Sequence, residues 1–210
     1  MQSISSEWLQ FAYWMAGANW MTWRRDYEFE PLDSGIRFSQ MPVLANGERY
    51  DAFVGNYSLL HGVQGTLRDE LRQRLHLNPD FDHAVDAIDG SGIDVLAREL
   101  RAEFQLKCPR FGFQRSFLSK LAAFARPDVF VAWDEFARKG VARCTGRRRD
   151  ASYAEYLTSV NGIWDDVKPR ILNFLSDKNV PTQRHDTAFP RRVLDVCLML
   201  YGGRWRVELS

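Results

Sequence analysis

From Leu59 onward the apolar residues of this chain recur every three or four positions, the periodicity of amphipathic helices. The clearest case runs from about 92 to 106, where Ile93, Leu96, Leu100 and Phe104 share one face. Pro109 and Gly112 end it. Further helices are expected over 63–76, from Pro79 to Ile88, over 114–125, from Asp134 to about Ala142, over 152–160 and over 163–176. A last one, with Pro190 in its first turn, runs to Tyr201. Before Leu59 a helix is expected over 6–24, with Trp8, Phe11 and Met15 on one face. Residues 25–58 carry Pro31, Gly35, Pro42, Gly47 and Gly55 and read as loop-rich. The expected fold is mainly α: one compact helical domain over 59–210, with an irregular N-terminal quarter, 1–58, packed on it.

Composition narrows what such a domain does. Hydrophobic residues make up 45% of 210, enough for a sizeable core. No run of about 18 apolar residues is present, so a membrane span is excluded. The net charge of +1 argues against a chain that is basic all over, but not against a local basic face. Cys108, Cys144 and Cys197 are odd in number and far apart, which fits a reducing cytoplasm and neither zinc nor a disulfide framework. The N-terminal segment lacks a basic region before its apolar part and does not read as a signal peptide. His61, His76, His83 and His185 are scattered, so no metal site and no cofactor are expected.

The basic residues are 23 Arg and five Lys. That bias reads first as codon usage, but it makes each Lys a choice to be explained. Lys120 stands among Phe117, Leu118, Leu121, Ala122 and Phe124, in a helix with almost no other polar residue. A desolvated Lys has a lowered pKa and becomes an amine nucleophile. Asp134 follows 14 residues later, after the apolar linker 129–133, at the start of a helix. Two helices joined by so short a connector can bring both side chains to one cleft. The plainer readings are a snorkelling Lys and an N-cap Asp.

The run Ser119-Lys120, Phe124, Arg126-Pro127-Asp128-Val129-Phe130, Trp133-Asp134 resembles the 8-oxoguanine DNA glycosylase-like branch of the helix-hairpin-helix DNA glycosylases. The stretch from Phe189 to Asp195, leading to Tyr201-Gly202, is similar to that branch's closing helix. The resemblance implies Lys120 as catalytic amine, Asp134 as catalytic carboxylate, and double-stranded DNA with a damaged or modified base as partner. It implies base release after flipping, with or without a lyase step. The glycines that usually precede the Lys are absent, and Phe117-Leu118-Ser119 stands there. The Lys-to-Asp spacing is also short, which leaves the target base open.

Around this pair, Arg110, Gly112, Arg115 and Ser119 are expected to meet DNA at the hairpin. Arg147, Arg148 and Arg149 are expected to meet backbone phosphates from a loop. Trp133 is expected near the base pocket. Trp8, Trp14, Trp20 and Trp23 read as core, or as a stacking surface. A monomer is expected. The competing reading is a non-enzymatic helical DNA-binding or protein-interaction module on the same scaffold. Repair and defence against foreign modified DNA are both compatible with the enzyme.

Overall fold

The computed structural model describes residues 5–27, 41–57, 59–60, 63, 65–76, 78–178 and 188–205, with side chains in the first segment described as far as Asn19. Ten helices and no strand occur among them. They are α1 (Ser6–Tyr27), α2 (Pro42–Ala45), α3 (Gly47–Asn56), α4 (Gly65–His76), α5 (Asp80–Asp86), α6 (Ser91–Gln105), α7 (Arg115–Ala125), α8 (Glu135–Thr145), α9 (Tyr153–Ser176) and α10 (Ala188–Tyr201).

The helix starts follow their caps. Ser5 Oγ accepts from Trp8 N at the start of α1, and Asn46 Oδ1 accepts from Arg49 N at the start of α3. Ser152 and Glu155 form a capping box on α9. Asp134 caps α8 through a 2.9 Å bond from Phe136 N. Two expectations are corrected. The region read as loop-rich contains α2 and α3, because Tyr50, Phe53 and Val54 form an apolar stripe that packs on Phe117 and Phe124. The helices expected over 152–160 and 163–176 are one, α9. Val160, Ile163, Trp164, Val167 and Ile171 keep a single buried face across the proposed break. Pro169 lies inside it.

α7 and α10 are the central helices. Every residue of α7 from Phe117 to Ala125 is buried, and so is all of α10 from Ala188 to Leu200 except Arg192. Helices buried on nearly all sides are apolar all round, and charges on them stand out. α8 packs on α10 backbone to backbone. A Cβ on Gly140 would lie 2.0 Å from Leu198 O, and one on Gly202 would lie 1.8 Å from Phe136 O. Side chains there would force the two helices apart. α1 covers the other side of α10 with Leu9, Ala12 and Ala16. These residues belong to the same core cluster as α3, α7 and α10. No helix is long and apolar enough to cross a membrane among the described residues.

Candidate active site

Between α7 and α8 the chain runs through a turn at 127–129 and an irregular stretch to Asp134, and four polar clamps hold it. Arg191 Nη2 donates to Val129 O at 3.0 Å, Tyr153 Oη to Val131 O at 2.7 Å and Tyr156 Oη to Ala132 O at 3.0 Å. Trp133 N donates to Ser119 Oγ at 2.8 Å. Each clamp satisfies a backbone group that burial would otherwise leave unpaired. Together they fix the residue that follows, Asp134, relative to α7.

Lys120 and Asp134 line one cavity of about 120 Å³ that is partly open to solvent. Lys120 is 9% exposed, and its ammonium donates to Ser116 Oγ at 2.7 Å. Burial pulls its pKa down from 10.5 to about 8, against the opposing pull of Asp134 and Asp195. A sizeable share of the amine is therefore neutral at mildly alkaline pH. Asp134 Oδ2 faces Arg204 Nη1 at 3.5 Å, while Oδ1 is held by the helix cap.

Asp195, which the sequence offers as a surface charge or as the salt-bridge partner of an Arg, is the third charged group here. It is 2% exposed, sits on α10 and lines the same cavity. One oxygen pairs with Arg192. The other, Oδ1, has no hydrogen-bond partner among the described residues. Burial raises the Asp195 pKa, with Arg192 opposing. A buried acceptor without a donor is costly, about 1–3 kcal/mol and more for a charge. The cavity is thus lined by an amine and two carboxylates. Tyr57, Phe124, Phe130 and Trp205 supply aromatic surface.

The other expected residues are placed as follows. Ser119 is fully buried and holds the linker, so it does not reach DNA. Arg115 Nε donates to Asp94 Oδ1 at 2.6 Å, and Asp94 Oδ2 accepts from Ala154 N at 3.0 Å. Arg115 therefore ties α6, α7 and α9 together through its Nε. Trp133 does not line the cavity. Its ring meets Tyr153 and Tyr156, and the Arg138 guanidinium lies 4.1 Å above it. Arg110 and Gly112 are exposed. A side chain at Gly112 would meet nothing within 4 Å, so glycine is not sterically required there. The left-handed turn before α7 is made by Gln114, with φ 49°. Arg147 and Arg148 are exposed, and Arg149 Nη1 reaches Glu135 Oε1, next to Asp134, at 2.7 Å. Trp8 packs edge-on against Tyr201 and Trp14 is 66% exposed; the side chains of Trp20 and Trp23 lie outside the described residues. His61 and His185 also lie outside them. No group of three metal-binding side chains occurs among the described residues.

Comparison with family models, with curated proteins and with solved structures yields no match.

Proposed function

We propose that the chain is a DNA N-glycosylase that removes a damaged or modified base, with Lys120 as amine nucleophile and Asp134 as the carboxylate that stabilises the sugar cation. One observation carries the reading. A lysine in an apolar helix and an aspartate capping the next helix share one cavity, and burial has brought the amine's pKa to about 8.

The chemistry follows from that placement. A flipped nucleotide enters the cavity with its base among the aromatic side chains and its C1′ between Lys120 and Asp134. As the glycosidic bond lengthens, Asp134 faces the positive charge growing at C1′ and O4′. The bond breaks with its electrons leaving on the base. The neutral Lys120 amine attacks C1′, loses a proton, and opens the ring to a Schiff base. A lyase step can follow from there. Where Lys120 stays protonated, water attacks C1′ instead and the base alone is released.

The test is borohydride trapping on duplexes that carry a panel of oxidised, alkylated, deaminated and glycosylated bases, or an abasic site. The expected outcome is a covalent adduct that disappears in Lys120→Ala, with base release abolished in Asp134→Asn. Absence of both adduct and base release across the panel overturns the enzyme and leaves the binding module.

A further inference from the structure

The geometry points to Arg204 as the residue that joins Asp134 to a phosphate flanking the flipped nucleotide. The proposal rests on the glycosylase reading and adds the side of the substrate that stays outside the cavity.

Arg204 is delivered by the turn that ends α10. Gly202 is pressed against Phe136 O, and Gly203 takes φ 89°, a left-handed conformation that favours glycine. Gly203 N donates to Leu200 O at 2.9 Å and Arg204 N to Met199 O at 3.1 Å. This is the paired bond pattern of a Schellman cap, which sets the direction of the residue that follows the glycine. Here that residue is aimed back at the start of α8. The guanidinium meets Asp134 Oδ2 at 3.5 Å and stacks 4.9 Å from the Trp205 ring, which in turn packs on Phe11 of α1. Three elements thus hold one side chain in place.

Exposure rises in order along this side of the cavity. Lys120 is 9% exposed, the Asp134 side chain 20% and the Arg204 side chain 41%. Arg191 and Arg192 also line the cavity, but their heads are committed inside, to Val129 O and Asn161 and to Asp195. If C1′ lies between Lys120 and Asp134, its two phosphates must lie outward of Asp134, where Arg204 stands. A guanidinium carries five N–H donors in a planar fork. At 3.5 Å the Asp134 contact is loose and leaves most of that fork for a phosphate. A cation bridging both groups would hold the carboxylate at the sugar while fixing the backbone that carries it.

The probe is a duplex with a tetrahydrofuran abasic analogue, made in versions where the phosphate on its 5′ or 3′ side is a neutral methylphosphonate. Binding is measured for wild type, Arg204→Ala and Arg204→Lys, with circular dichroism confirming the fold of each. The wild type is expected to bind one methylphosphonate version about tenfold more weakly than the unmodified duplex. Arg204→Ala is expected to bind the unmodified duplex at that weaker level and to lose nothing further on the methylphosphonate. Arg204→Lys should fall between. Losses from the variant and from the methylphosphonate that simply add, or wild-type binding by Arg204→Ala, overturn the role of Arg204 alone. A wild type with no preference for the abasic analogue over undamaged duplex overturns the glycosylase reading and this proposal with it.

Discussion

The two walls of the cavity are built by different means. The α7–α8 wall comes from one stretch of chain, 115–145, with Lys120 inside the first helix and Asp134 at the end of a short, clamped linker. The facing wall comes from α10 and the turn after it, and it reaches the site only because Gly140 and Gly202 let α8 and α10 touch backbone to backbone. The first wall is one stretch of chain held by hydrogen bonds from α7, α9 and α10. The second is a long-range assembly held by the absence of side chains. The first should therefore yield to loss of a polar partner, and the second to the addition of a single methyl group.

The largest expected effect tests the second wall. Gly202→Ala puts a Cβ 1.8 Å from Phe136 O, where backbone has no way to give. Overpacking of this kind costs about 3 kcal/mol or more, and the denaturation midpoint should fall accordingly. Gly112→Ala is the matched control, since nothing lies within 4 Å of its new methyl group. Equal stability of the two variants would show that the walls do not depend on that contact.

A smaller effect of opposite sign belongs to the first wall. The folded pKa of Lys120 is lowered to about 8 from 10.5, so below pH 8 both folded and unfolded chains carry the proton and the folded state bears the cost of burying it. Between about 8 and 10.5 the unfolded chain binds more protons, and wild-type stability rises with pH. Lys120→Met removes the charge at similar length. It should stabilise the protein by about 3 kcal/mol at pH 7, from the size of the shift, with the gain fading as pH passes 10. Urea titrations at pH 7 and pH 10 measure it. A variant less stable than wild type at pH 7, with a difference that does not change with pH, would mean that the amine is not desolvated.

The same contrast explains what was legible. Lys120 and Asp134 could be read because they are neighbours in sequence and their chemistry is conspicuous against an apolar helix. Asp195 carries the same signal, a charge between Leu194 and Val196 in a helix buried on nearly all sides, but Arg192 three residues before it accounts for it as a salt-bridge partner, and its place in the cavity has no signature in sequence. Its partners Lys120 and Asp134 are supplied by packing. Arg204 was invisible for the same reason, since its position depends on the glycine turn of α10 and on where α8 begins. Ser119 was read at the right place with the wrong task. The spacing put it beside Lys120, but only the fold shows its hydroxyl turned inward to Trp133 N. The arginines expected at a hairpin differ likewise: Arg110 stays at the surface, while the Nε of Arg115 pairs with Asp94, a residue 21 positions away. Helix periodicity carried α6, α7 and α10, whereas α2 and α3 were hidden by prolines and glycines that lie at their edges or on their exposed sides.

The smallest effect is the most specific to the first wall. Ser119→Ala removes an acceptor from the Trp133 amide and leaves Tyr153, Tyr156 and Arg191 holding the rest of the linker. Loss of one such bond, with its donor left unpaired, costs about 1–2 kcal/mol. The freed end of the linker is the end that carries Asp134, so the variant should lose borohydride adduct by more than its drop in stability explains. Lys120 keeps its own surroundings and its bond to Ser116. The pH at which the amine titrates should accordingly stay near the wild-type value while the rate falls. A moved pH profile would show that Ser119 acts through Lys120; an unchanged rate would show that the three remaining clamps suffice to place Asp134.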